Sequence, residues 1–195
     1  MRSNSVVKKN NRFLFHHTSL EGLYVVERMP IKDQRGFFCR LFCVEEFQAA
    51  GLKKPIAQIN HSLTIKKGAL RGLHFQYPPH AEVKIVSCLQ GEVFDVAVDI
   101  RKGSPTFLRW YGEILSPENK KSLLIPEGFA HGFQTLTEHC ELIYLHSAPY
   151  QPQAEGALHV NDPSLGILWP IEITEISERD RAHPFIGPDF EGITL

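Results

Sequence analysis

Apolar and polar residues alternate along much of the chain with the two-residue period of a β-strand. In "EVFDVAVDI", residues 92–100, Phe94, Val96, Val98 and Ile100 alternate with Asp95, Ala97 and Asp99. That pattern predicts a strand with its apolar residues on a buried face and both aspartates, structural rather than catalytic, on the outward one. Short apolar runs recur at "LYVVE", "VKIVSCL", "FLRWYGEIL", "KSLLIP", "FQTL" and "CELIYL", bounded by Gly, Pro, Asn or charged residues. Helical periodicity is scarce. "VEEFQAAGLKKP" predicts one short helix stopped by Gly51, with Pro55 beyond it. "SERD" predicts the start of another, because Ser177 and Asp180 stand at capping-box spacing. Many strands at short spacing, without repeats or a linker, indicate an all-β chain. A closed barrel or double-sheet jelly roll with a few short helices leaves the fewest sheet edges free.

Composition removes several function classes. A chain of 195 residues can bury a sizeable core within one domain. With 21 basic and 22 acidic side chains, a net charge of −1, it has no field to draw a nucleic acid or an anionic membrane. The basic stretch "VVKKNNR", residues 6–12, reads as a solvated tail. No apolar run approaches the ~20 residues that span a bilayer, and the N-terminal segment lacks the apolar core of a signal peptide, so a cytoplasmic location is expected. Cys39, Cys43, Cys88 and Cys140 form no CxxC pair and no metal-ligand spacing, which fits reduced thiols used in packing.

The candidate chemistry centres on "GALRGLHFQ", residues 68–76. Gly68, five residues and His74, followed by Lys84, six residues and Gly91, resemble the first motif of the metal-binding cupins, which are jelly rolls. "PEGFAH", Pro126 to His131, resembles the second. Gln76 stands where the first motif has a second histidine, and Lys84 where it has a glutamate. Catalytic zinc needs at least three good donors, and an ammonium beside two histidines repels a dication. The implied pocket therefore has no metal and keeps a positive charge in the metal's place. Histidine, arginine and lysine in such a pocket suit the removal of a proton from carbon next to a carbonyl. Lys84 and Arg71 can stabilise the enolate oxygen as charge develops. His74 can serve as the base if a carboxylate orients its other nitrogen.

Longer blocks extend the likeness. "DQRGFF", "QINHS", "LRGLHFQ", "GEVFDVAVDIRKGSPTF", "SPENK", "IPEGFAHGF", "LIYLHSAPYQPQAEG" and "NDPSLGILWP" resemble, in order, the successive blocks of the dTDP-4-dehydrorhamnose 3,5-epimerase family. The match runs from about residue 22 to 186, which sets residues 1–21 apart as an N-terminal extension of a single cupin-type domain, 22–195. The resemblance implies a cupin-fold homodimer that needs no cofactor. Its substrate would be a nucleotide-linked 4-keto-6-deoxy sugar, inverted at C3, C5 or both through an enolate, as in the conversion of dTDP-4-dehydro-6-deoxyglucose to dTDP-4-dehydrorhamnose. By motif match, His74 is the base, Tyr144 the opposing acid and Asp180 the partner of His74. Lys84 and Arg71 make polar contacts to sugar and phosphates, and Arg35, Gln58, Asn60 and His131 line the pocket.

Each residue also has a plainer reading. Asp180 can cap a helix, Tyr144 can be a packed strand tyrosine with Tyr150 as its rival, and Lys84 can be an edge-strand charge. Arg71 fits a structural salt bridge, and His131 a turn or supporting position. Two residues depart from the family pattern: Arg40 replaces a glutamate after "RGFF", and Ile59 replaces an aspartate ahead of "NHS". Within the same fold, the alternatives are a single-centre epimerase or one acting on a CDP- or GDP-linked sugar. A catalytically silent sugar-binding cupin is the non-enzyme alternative. A metal-dependent cupin isomerase or dioxygenase is disfavoured by Gln76 and Lys84.

Overall fold

The structure, a computed structural model, describes residues 12–195. Six strands form the first sheet, in the order β1 (Phe13–His17), β2 (Tyr24–Arg28), β10 (Lys121–Ile125), β7 (Lys84–Gln90), β12 (Cys140–His146) and β5 (Gln58–Thr64). The second sheet runs β13 (Glu155–Ala157), β6 (Ala69–Gln76), β11 (Phe129–Thr135), β8 (Val93–Asp99) and β9 (Trp110–Leu115). Every neighbouring pair in these two paths is antiparallel, and β14 (Glu175–Ile176) adds to β6 in parallel. A separate hairpin pairs β3 (Ile31–Asp33) with β4 (Gly36–Phe38). The helices are short: α1 (Val44–Ala49), ended by Gly51 at φ +106°, and α2 (Glu178–Arg181). The two sheets share one core, in which Val25, Val86, Leu123 and Leu142 of the first meet Val93, Leu115, Phe129 and Phe133 of the second. This is the jelly roll that the strand pattern predicts.

The polarity of β8 is the reverse of the sequence reading. Asp95 and Asp99 are fully buried, and Asp95 shares the inward face with the core residues Val93 and Ala97. Val96, Val98 and Ile100 face outward but are equally buried, under Leu158, Val160, Leu165 and Ile193 of the chain's C-terminal part. That covering layer makes the outer face the apolar one. Each inward aspartate has polar partners: Asp99 takes Arg101, Ser104 and Thr106, and Asp95 takes His131.

The domain also begins earlier than the residue blocks indicate. Phe13–His17, inside the stretch set apart as an extension, pairs with β2 along its whole length. Phe13 is buried, and the rings of Phe13 and Phe15 pack edge-on against Phe47 of α1 at centroid separations of 5.0 and 5.2 Å. Residues 1–11, which hold the basic run apart from Arg12, lie outside the described residues. Among the described residues no helix is long and apolar enough to cross a membrane, and all four cysteines are free thiols, Cys88 and Cys140 buried.

Candidate active site

A cavity of about 280 Å³ opens between the two sheets. From the first sheet Asn60, Ser62, Lys84, Tyr144 and His146 line it; from the second come Arg71, His74, His131 and Phe133. Alternation explains most of this set. Asn60 and Ser62 are two apart on β5, Tyr144 and His146 two apart on β12, and His131 and Phe133 two apart on β11, so each pair shares a face.

Arg71 and His74 break the rule, being three apart on β6. The register supplies the reason. His131 of β11 stands opposite His74 and Phe133 opposite Arg71, so β6 spends one more residue than its partner over this interval, a β-bulge. Gly72 sits within it at φ +135°, a conformation that side chains disfavour. A Cβ there would meet the Cα of Gly132 at 2.5 Å, so the two strands approach backbone to backbone. Freed by the bulge, the Gly72 N–H donates to Oδ2 of Asp180 at 3.3 Å.

Asp180 uses its other oxygen on His74. Oδ1 lies 2.7 Å from Nε2 of His74, and the carboxylate is almost entirely buried. Its backbone N–H meanwhile donates to the Ser177 hydroxyl at 3.0 Å. The geometry accommodates both the capping and the dyad readings: the main chain of Asp180 is capped while its side chain bonds His74. Burial alone would raise the Asp180 carboxyl, but the hydrogen bond and charge of His74, together with the Gly72 N–H and Ser177, hold it below the usual aspartate value.

Across the cavity, the Tyr144 hydroxyl lies 3.1 Å from the Ser62 hydroxyl. Burial pushes its phenol far above the ordinary value, against the smaller opposite effects of Ser62 and Arg71, so Tyr144 is a neutral donor at physiological pH. Its ring packs edge-on to His131, 6.3 Å between centroids. Tyr150, the rival, is exposed, bonds Glu155 and does not line the cavity.

The ammonium of Lys84 is not an isolated charge. Nζ lies 3.1 Å from the Glu82 carboxylate and donates to the His74 carbonyl at 3.3 Å. The second oxygen of Glu82 bonds Nδ1 of His146 at 2.9 Å. Burial would raise this carboxyl, but His146 and Lys84 outweigh it and keep Glu82 below its usual range. On the second sheet, His131 Nε2 meets the buried Asp95 carboxylate at 2.9 Å. Arg71 donates to the Thr64 hydroxyl and the Leu63 carbonyl at 3.0 and 3.3 Å, and it makes no ion pair among the described residues.

Six of the residues expected from the sequence therefore line the cavity, with Asp180 directly behind His74. Gln58 lies one step back, donating to Asn60 Oδ1 at 3.0 Å and accepting from the Tyr150 N–H at 3.0 Å. Arg35 is not brought to this cavity. It sits on the turn between β3 and β4, bonded to Asp33, with its side chain 84% exposed. Of the two departures, Arg40 pairs with Glu46 of α1, and Ile59 lies exposed on β5. Ser62, Glu82, Asp95 and His146 join the site without having been singled out for it. Period two from Asn60, Lys84 and Tyr144 would have found all but Asp95, which the assumed outward face hid.

Comparison with known proteins gives a consistent picture. A family model described as dTDP-4-dehydrorhamnose 3,5-epimerase matches residues 17–187. The dTDP-4-dehydrorhamnose 3,5-epimerase of Salmonella typhimurium is 47% identical over 171 residues, 87% of this chain and 93% of that protein. The solved dTDP-6-deoxy-D-glucose-3,5-epimerase of Legionella pneumophila, in complex with dTDP-4-keto-L-rhamnose, superposes with a TM-score of 0.84 at 41% identity, covering 89% and 92% of the two chains. A 3'-monoepimerase from Streptomyces bikiniensis, in complex with dTDP-quinovose, gives 0.81 at 36% identity over 87% and 86%.

Proposed function

The chain belongs to the dTDP-4-dehydrorhamnose 3,5-epimerase family, and from that premise we propose that it inverts C3 and C5 of dTDP-4-dehydro-6-deoxyglucose to give dTDP-4-dehydrorhamnose. The observation that carries this reading is the position of His74 on one sheet, bonded to Asp180 of α2, and of Tyr144 on the other sheet, across one cavity.

Inversion next to a ketone requires a proton to leave one face of the sugar and another to arrive on the opposite face. With Nε2 bound to Asp180, the free nitrogen of His74 is Nδ1, which takes the proton from the carbon beside the C4 carbonyl. The electron pair moves into the enolate, and Lys84 and Arg71 oppose the charge that develops on its oxygen. Tyr144 delivers its hydroxyl proton to the far face of the same carbon and regains one from solvent, while the histidine returns its proton to solvent. Repetition at the second carbon completes the reaction. No step calls on a metal, because Gln76 and Lys84 stand where a cupin places ligands; the Gln76 amide is spent on backbone groups, and Lys84 is paired with Glu82.

The reading includes a homodimer. Arg35 and the exposed Ile31, Phe37 and Phe38 share one small two-stranded hairpin that pairs with no further strand among the described residues, and a second copy supplies a cavity for Arg35 to enter. The monoepimerase shares this scaffold, so the number of centres inverted is the point to test. We expect incubation with dTDP-4-dehydro-6-deoxyglucose in heavy water to place deuterium at both C3 and C5, with the rhamno product seen by NMR and no exchange in His74→Ala. Deuterium at one centre reduces the protein to a monoepimerase, and none with the wild type makes it a silent binder or moves its substrate to another nucleotide.

A further inference from the structure

Beside the dyad stands a third group that the reaction does not use. His183 follows α2, and its ring lies edge-on to that of His74, 6.4 Å between centroids. Its Nε2 is buried and has no hydrogen-bond partner among the described residues. Such an orphaned nitrogen is uncommon in a folded protein. One donor atom each from His74, Asp180 and His183 lie within 4.8 Å of one another.

We propose that His74, Asp180 and His183 form a site for a divalent transition-metal ion of the zinc type, and that this ion silences the base. Two imidazoles and one carboxylate are a donor set that suits zinc and leaves a fourth position open. Donors around tetrahedral zinc sit about 3.3 Å apart, from metal–ligand bonds of about 2.0–2.2 Å, so modest side-chain rotations convert the cluster into a site. Magnesium and calcium prefer oxygen ligands and are poor fits. The site is distinct from the cupin metal position of Gln76 and Lys84: it lies on the Asp180 side of His74.

The consequence follows from the two nitrogens of one ring. In the metal-free protein Nε2–H donates to Asp180 and Nδ1 holds the lone pair that accepts the substrate proton. When the dication takes the Nε2 lone pair, the single proton of the neutral imidazole resides on Nδ1, which can then donate but not accept. No bond to the sugar changes; the base is simply held in the wrong tautomer, and a chelator restores it.

Zinc uptake stands independently of the proposed function, whereas the loss of turnover rests on it. The test therefore reads both on the full chain, stripped with a chelator and titrated with zinc chloride against a chromogenic indicator, in parallel with His183→Ala and His183→Gln. We expect the wild type to take up one more equivalent than either variant, and magnesium to leave that equivalent unfilled. Zinc should suppress His74-dependent deuterium exchange at least tenfold, while the variants keep the zinc-free rate and need at least tenfold more zinc for the same loss. Other histidine–carboxylate pairs, such as His16–Glu27 and His61–Glu141, bind equally in all three proteins and cancel. Equal uptake by the three overturns the site. A wild-type excess with unaffected exchange keeps the site and overturns its inhibitory role, and absence of exchange in metal-free wild type instead counts against the epimerase reading.

Discussion

An imidazole offers two nitrogens, and only one of them can face a substrate with its lone pair free. Asp180 settles which one by accepting from Nε2 of His74 while two backbone-directed contacts hold it still: its own N–H on Ser177 and the Gly72 N–H on Oδ2. In Asp180→Asn the amide can offer a hydrogen to Nε2 and favour the opposite tautomer. Exchange should fall by about 10²–10⁴, the size of a general-base contribution, while the cap, made by a main-chain N–H, keeps α2 folded. The same carboxyl leaves a mark on stability. Its folded pKa is depressed, so its contribution is complete above the unfolded value of about 3.9 and drains away as pH falls through the lower folded value. Denaturation midpoints measured between pH 6 and pH 2 should therefore drop less steeply in Asp180→Asn than in the wild type. Tyr144 makes the complementary case. Tyr144→Phe removes the donor on the far face but leaves His74, Lys84 and Arg71 in place, so deuterium exchange should largely persist while inverted product is lost. Unimpaired inversion by this variant, read by NMR on the same sample, would pass the acid role to His131 or a bound water.

Between residue and molecule, the decisive element is β6. A strict period of two puts Arg71 and His74 on opposite faces, and nothing in the apolar pattern of "ALRGLHFQ" announces the extra residue that reunites them. The cupin-like frame led to His74 without explaining it; the explanation is the bulge at Gly72 and its close approach to Gly132. Gly72→Ala imposes a Cβ on a φ of +135° and on a 2.5 Å contact with backbone. The strain alone costs about 1–3 kcal/mol, and the displaced N–H loosens Asp180. We expect a lower urea midpoint together with reduced turnover, and an unchanged midpoint would remove the bulge from this account. The strands themselves were readable because alternation survives in most of them. The facing of β8 was not, since a layer of irregular chain made the outer side apolar and left the inner side to Asp95 and Asp99. Irregular cover carries no period, and so no signal of its own.

At the scale of the whole molecule, Arg35 is the residue whose motif match and position disagree within a single chain. Its hairpin exposes Phe37 and Phe38 at 64% and 66%, with Ile31 at 46%, an apolar group that a second copy can cover. Light scattering should give twice the mass of one chain. Phe37→Ser combined with Phe38→Ser should halve that mass and raise KM, while far-UV circular dichroism shows the sheets intact; a wild type that runs as a monomer would leave Arg35 without a site. Period and motif could not reveal this placement, because they describe one chain, whereas the proposed site for Arg35 belongs to a second copy. The dyad carries a different kind of distance: His74 and Asp180 are 106 positions apart in sequence, and every strand that frames the cavity is complete before Asp180 is reached. Asp180 is thus the last part of the site to be synthesised, and a chain that ends short of α2 carries the whole cavity lining without the carboxylate that sets the tautomer of His74.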